Sequence, residues 1–420
     1  MGDPMSREDK TTTRTSGPRI QIVRSPEGWT VILLCGALLA LPIGTSPFTI
    51  LGVSALAAWI FTGEIWRKRN RYLREARFLP VLALVLLPWI GLIYSPDPGG
   101  LGLNFAEKTY YWLYALAAAG ISNKGNRKEY LVKALFLGLL LNAVAGFLQA
   151  GGVVPTALRD RYTGFGKGYN TLSILLVLGS LMASYYFKVS DRIRKKLGYL
   201  FLMLVFIAHL SILQGRGGYF TFVCLSPIIA YNLAGGKRLW ISGLAFIALV
   251  GVLAASPMVR ERVKELVQDT VNQLRTEKDI AWGKRYHEDD PNQRIDRIYM
   301  WRWAIELFLE HPFRGVGTGG FYQSLLAGGG GRGMAHPHNN FLHMAVSYGI
   351  LGVFALAWLF WVLLKTGWRN RGHPVGFFIL SGALVVFVGG LVDTHVLDAG
   401  SAFLLAIVTG LVPTFQRHPI

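Results

Sequence analysis

Twelve predominantly apolar runs punctuate this 420-residue chain. Most are about 17–25 residues long, the length a helix needs to cross some 30 Å of hydrocarbon. Length alone would suit two or three soluble domains, but the apolar runs exclude that organisation. Charged residues make up 16% of the chain, well below the roughly 25% of a soluble domain. The fold class expected is an all-α polytopic membrane protein, not a disordered, collagenous or disulfide-stapled chain. Both cysteines, Cys35 and Cys224, lie inside apolar runs and read as small buried hydrophobes rather than a disulfide or metal pair.

The spans expected are 29–44, 47–63, 78–94, 105–121, 131–150, 170–187, 198–213, 217–233, 239–256, 338–364, 375–392 and 396–415. Pro42, Gly44 and Pro47 break one long apolar run into the first two spans. The first span follows a long tail and no small-residue cleavage site follows it, so it reads as a span and not a signal peptide. With the N-terminal tail placed in the cytoplasm, the short cytoplasmic segments hold 25 Lys and Arg residues and the short outer ones hold 5. Basic residues concentrate in cytoplasmic loops, so both termini are expected there. The net charge of +19 is then largely topological, and no nucleic-acid partner is expected. The chain divides into a tail (1–28), nine spans (29–256), an outer loop domain (257–337), and three spans with a short tail (338–420).

The loop 257–337 carries 12 Lys and Arg residues, although long loops cross irrespective of charge. A basic outer surface suits an anionic partner such as a diphosphate or phosphorylated lipid; a merely solvated face is the alternative. From Pro257, Val259, Val263, Leu266, Thr270 and Leu274 recur at helical spacing. A second amphipathic helix is expected from about Asn292 to Glu310. Both could lie on the membrane surface. The run Gly328 to Gly333 reads as a mobile flap or a plain linker. It is no nucleotide-binding loop, because no G-x-x-x-x-G-K-[ST] pattern occurs.

Three polar groups stand at outer ends of spans. The first is His336-Pro337-His338-Asn339-Asn340, where the loop re-enters the membrane. Pro337 suits the first turn of a helix, with His338 in that turn, and histidine as a residue type can take a proton near neutral pH. The second is Gln214-Gly215-Arg216-Gly217-Gly218. An arginine at a membrane edge needs a partner, and its fork suits phosphate oxygens. The third is Asp393-Thr394-His395-Val396-Leu397-Asp398. An acid there could orient a histidine, pair with an arginine, or belong to an ordinary polar turn. His336, His338, His343, His395, Asp393 and Asp398 are also metal-ligand types, but H-x-H alone lacks a recognised ligand spacing.

The run His336-Pro337-His338-Asn339-Asn340-x-Leu342, entering a span after a large outer loop, resembles the O-antigen ligase/polymerase superfamily. So do Arg297-x-x-x-Trp301-x-x-Ala304, His311-Pro312, Gly315-Val316-Gly317-x-Gly319-x-Phe321, Arg216-Gly217 and the twelve-span layout. The first 28 residues show no such match.

The resemblance implies a metal-independent, cofactor-free glycosyltransferase of the bacterial inner membrane with its active site facing the periplasm. Its donor would be a glycan on undecaprenyl diphosphate. Its acceptor would be lipid A–core, another lipid-linked repeat unit, or a protein hydroxyl on a pilin. Membrane lipids would surround it. Breaking a sugar–diphosphate bond develops negative charge, which fixed arginines stabilise. The catalytic set expected is His338 as general base, with Arg216 and Arg297 on the diphosphate. Arg294, His336, Asn339, Asp393 and Tyr299 form the expected substrate-binding set. The single large basic outer loop favours the lipid A–core acceptor. A transporter is the alternative of a different class, but it predicts charge near the bilayer midplane and an internal repeat. The spans carry little charge, and no clear repeat is visible.

Overall fold

The computed structural model describes residues 26–63, 78–121, 127–156, 162–166, 168–235, 239–279, 297–327 and 335–412. Within them the regular elements are helices: α1 (Pro26–Ala40), α2 (Thr45–Phe61), α3 (Leu79–Leu92), α4 (Leu103–Glu107), α5 (Leu113–Gly120), α6 (Arg127–Ala150), α7 (Tyr169–Val189) and α8 (Ile193–Ile212). They continue with α9 (Arg216–Leu233), α10 (Leu239–Ala255), α11 (Pro257–Asp279), α12 (Arg297–Glu310), α13 (Gly320–Ala327), α14 (Asn340–Arg369), α15 (Pro374–Gly389) and α16 (Ala399–Leu411). A 3₁₀ segment, Lys108–Trp112, joins α4 to α5.

Every apolar run read from the sequence coincides with a helix or, at 105–121, with the broken α4–α5 unit. Among the described residues α6, α7, α8 and α14 are long and apolar enough to cross a bilayer on their own. The pair α10–α11, bent by 83°, makes a fifth if taken as one broken span. Ser256 separates its halves and Pro257 opens α11, where a missing N–H does no harm. The remaining apolar helices are shorter. Large apolar side chains such as Ile60, Ile90, Phe201, Ile247 and Phe354 are exposed on helix faces. In water such faces would drive association; against lipid they are ordinary. The protein is a helical multi-pass membrane protein.

The core runs through α7, α15 and α16, whose side chains are buried along nearly their whole lengths. α7 packs on α8, α9 and α15, and α16 packs on α5 and α15. Several hydroxyls inside this hub bond back to their own helix, as Ser180 does to the Leu176 carbonyl and Thr409 to that of Leu405. That satisfies them without a partner helix.

One irregularity positions the site. α14 is interrupted at Gly349, with φ 62° and ψ −154°, a conformation essentially confined to glycine. The segment 311–319 docks at this break. Val316 N donates to the Val346 carbonyl (2.8 Å), Gly317 N to that of Ser347 (3.1 Å), and Ile350 N to that of Pro312 (2.8 Å). Gly317 has φ 86°, and a Cβ there would meet the Gly91 carbonyl and Ser95 backbone at 2.8 Å. Thr318, fully buried, donates to the Pro88 carbonyl (2.6 Å). The glycine-rich part of the expected signature is therefore a fixed joint between α3, α12 and α14. The later run 328–333 lies outside the described residues.

Candidate active site

The site is built around the turn between α15 and α16, residues 390–398. Three helix N-termini and Arg297 of α12 meet it. The Asn340 amide, first in α14, donates to the Gly390 carbonyl (2.7 Å), and its side-chain Oδ1 accepts from Val396 N (3.0 Å). Asn170, in the first turn of α7, donates to Asp393 Oδ2 (2.6 Å). Gly217, at the start of α9, lies against Val392. Arg297, the first described residue of α12, donates to the Val392 carbonyl (2.8 Å). Helix N-termini carry unpaired N–H groups and partial positive charge, so the convergence suits an anion.

His338 lies at this turn. Its Nδ1 is 2.8 Å from Asp393 Oδ1, and both side chains are only 13% exposed. Helix α14 starts at Asn340, not at Pro337 as the sequence suggested. Asn339 is the cap: its Oδ1 accepts from the amides of Phe341 and Leu342, while its Nδ2 donates to the Leu391 carbonyl. Ahead of that cap His338 takes the left-handed backbone conformation, φ 50°. In a non-glycine residue this stores roughly 1–3 kcal/mol and persists only where the surroundings enforce it. Two enforcing contacts are visible. The Asn339 cap holds one side, and Trp301 of α12 donates its Nε1 to the Pro337 carbonyl (2.8 Å) on the other.

Burial opposes charge on Asp393. The hydrogen bond from His338, the fields of His395 and His338, and the Thr394 amide outweigh it and hold the carboxyl well below the usual carboxylate range. His336 sits edge-on to the His338 ring, with centroids 4.6 Å apart. Burial, then the neighbouring His338, Lys108 and Arg297, pushes His336 down to about 4 against the pull of Asp393. His336 Nδ1 is buried without a hydrogen-bond partner among the described residues.

Arg216 opens α9. Its Nη2 is 3.0 Å from Glu265 of α11, which also takes Arg262 Nη1 at 2.7 Å. Arg262 in turn donates from Nε to Gln214 Oε1 (3.2 Å), and Gln214 has φ 61°. Helix α11 is thus tied across the start of α9 by its charged face. Its exposed valines, Val263, Val267 and Val271, recur every four residues and point the other way. Val259, one turn before Val263, is buried. The side chains of Leu266, Thr270 and Leu274 lie outside the described ones.

The structure therefore brings His338, Asp393 and Arg297 to one turn, with His336 beside them and Arg216 at the adjoining helix start. Asn339, expected in the substrate-binding set, has both ends of its side chain bonded at the turn. Tyr299 is half-buried beside the small apolar cluster of Met300, Ala304, Leu307, Phe321, Leu325 and Val346, which joins α12 to α13 and α14. Arg294 lies outside the described residues. Of the six metal-ligand types, His395 is turned to Ser401 Oγ (3.0 Å), and Asp398 caps α16. Among the described residues no three His, Cys, Asp or Glu side chains stand together as a metal site requires.

Sequence reasoning missed Glu265, Asn170 and Lys108. The Lys108 charge reaches His336 from the 3₁₀ segment. Its only signal was a cation in an aromatic-rich stretch at a helix start. Glu265 gave none, since one acid on a charged helix face is ordinary.

Against known proteins, a family model described as O-antigen ligase matches residues 200–357. That stretch contains Arg216, Arg297 and His336 to Asn340; Asp393 falls beyond it. No curated protein matches the chain.

Proposed function

We propose that this chain, whose residues 200–357 match a family model described as O-antigen ligase, is an O-antigen ligase. It moves a glycan from undecaprenyl diphosphate to a sugar hydroxyl of lipid A–core, in the inner membrane and on the periplasmic side. The reading includes twelve membrane crossings with both termini cytoplasmic, which the basic-residue bias supports.

The observation that carries the proposal is the 2.8 Å pairing of His338 Nδ1 with Asp393 at a turn that Arg297 also holds. With Asp393 accepting from Nδ1–H, the unprotonated Nε2 faces the acceptor. It takes the hydroxyl proton as the acceptor oxygen attacks the anomeric carbon. The bond from that carbon to the diphosphate oxygen breaks, and its electron pair leaves with undecaprenyl diphosphate. Direct displacement inverts the anomeric centre. Arg216, Arg297 and the converging helix N-termini meet the charge on the leaving group. This assigns charge stabilisation to fixed protein groups and makes the reaction metal-independent.

The test mixes detergent-purified protein with polyprenyl-diphosphate glycan, lipid A–core and EDTA. A ladder of glycosylated lipid A–core is the expected product. Longer lipid-linked glycan instead would make the protein a polymerase. Glycan on an added pilin only would make it a protein glycosyltransferase. No transfer to any acceptor would overturn the reading and return transport to consideration. Loss of the ladder in EDTA, restored by metal, would overturn metal independence.

A further inference from the structure

The same turn has a second side. At its Asp398 end lies a cavity of about 530 Å³, open mouth included, lined by Thr45, Phe48, Thr163, Thr171, Asp398 and Gly400 among others. No residue assigned to the transfer step lines it.

Three observations make it a built site. The loop 162–165 that forms one wall is fixed by polar side chains sunk in the helix bundle. Asn142 of α6 donates to the Thr163 carbonyl (3.0 Å) and accepts from Phe165 N (2.9 Å). Gln149 of α6 bonds both the amide and the carbonyl of Gly164 at 2.8 Å. His209 Nε2 of α8 is 2.9 Å from the Tyr162 carbonyl. Asn142 and His209 are fully buried. Polar groups inside a membrane bundle are expensive, and here they are used to fix one loop backbone.

Second, the loop presents Thr163. It is fully buried, and its hydroxyl has no hydrogen-bond partner among the described residues. Such an orphan is unfavourable unless something else pairs with it.

Third, Asp398 faces it from the start of α16. Its Oδ1 accepts from Thr171 Oγ1, Gly400 N and Ser401 N, which leaves Oδ2 outside those bonds. Thr171 follows Asn170, the residue bonded to Asp393. Consecutive residues of α7 thus hold the two acids, and the cavity is rigidly coupled to the His338 corner.

A carboxylate, hydroxyls and an apolar floor of Leu41, Phe48 and Leu172 match the two faces of a sugar ring. Resting on the glycosyl-transfer reading, we propose that this cavity is a sugar subsite that takes one monosaccharide unit of a glycan substrate, with its hydroxyls bonded to Asp398 Oδ2 and Thr163 Oγ1. The unit belongs either to the diphosphate-linked donor or to the acceptor oligosaccharide, and the kinetics separate the two.

The decisive variant is Thr163→Val, which is nearly isosteric. A structural threonine with an unpaired hydroxyl predicts unchanged or higher thermal stability and unchanged kinetics. The subsite predicts that stability holds, kcat stays within about twofold, and one KM rises about three- to tenfold, the worth of one neutral hydrogen bond. A rise in the KM for polyprenyl-diphosphate glycan assigns the donor; a rise in that for core oligosaccharide assigns the acceptor. Asp398→Asn keeps a capping side chain and removes the charge, and it should raise the same KM about tenfold or more. Both KM values within twofold of wild type in Thr163→Val would overturn the subsite while leaving the transfer reading intact. If the wild type transfers nothing, the transfer reading fails by itself. Calorimetric titration of the same two glycans into wild type and Thr163→Val then decides the cavity: weaker binding by the variant supports it, and equal or absent binding overturns it.

Discussion

Two charged corners stand beside the turn between α15 and α16, and they are built in opposite ways. The His338–Asp393 pair is 13% exposed on both sides, and its acid is also held by Asn170. The Arg216–Glu265 pair is 36% and 40% exposed, and its acid comes from a bent-back helix, α11. The buried pair is over-determined and keeps its geometry before substrate arrives. An exposed pair is worth little, so Glu265 can give up Arg216 to a stronger anion such as a diphosphate. On the proposed reading, one corner is pre-organised for proton transfer, and the other is an exchangeable cover on a charge-binding residue.

The sharpest way to break this contrast is at the buried corner. His338→Ala should leave the protein inserted and lower kcat by about 10²–10⁴-fold, the usual worth of a general base; near-normal turnover in the ladder assay would remove it from that role. Asp393→Asn comes next, at roughly 10²-fold. An amide in place of the carboxylate can donate to Nδ1 and hold the wrong tautomer, so kcat should fall with KM little changed. At the open corner, Arg216→Lys should lose about tenfold or more, because lysine keeps the charge but not the fork. Full activity would reduce Arg216 to charge steering.

Two smaller effects sharpen the comparison. Glu265→Gln should lower the KM for the diphosphate donor by no more than about fivefold, as expected for an exposed ion pair. A large drop in kcat would show that Glu265 belongs to the fixed machinery. His336→Gln tests the electrostatics of the buried corner. His336 is held at about 4 in the folded protein against an ordinary 6.5, so the unfolded chain takes up its proton first. Thermal stability of the wild type should therefore fall as pH drops from about 6.5 to about 4 and level off below. The glutamine variant should show a flatter profile across that window.

Much of this architecture was legible from residue order alone. Apolar length marks helices for a bilayer directly, because each spanning helix satisfies its own backbone and needs no distant partner to be recognised. The His336 to Asn340 run, the arginines at 216 and 297 and the Asp393 turn were visible for a related reason: charged groups beside apolar runs demand an explanation. The sequence also misled locally. It put Pro337 at a helix start, whereas the Asn339 cap begins α14 two residues later, because a side chain that satisfies two amides outranks a proline preference.

What required the tertiary structure was pairing across the chain. His338 and Asp393 are 55 residues apart and Arg216 and Glu265 are 49 apart. No local pattern selects such partners, because hydrogen bonds depend on distances in space that only the packing of α7, α9, α14 and α15 sets. The same holds for Asn142, Gln149 and His209. In sequence they are isolated polar residues in two apolar helices. In the fold they converge on one loop, which forms a wall of the cavity beside Asp398. Sequence by itself determined that this chain makes apolar helices with basic and histidine-bearing ends. Only their packing decided which acid orients the histidine, which acid covers the arginine, and which hydroxyl is left without a partner.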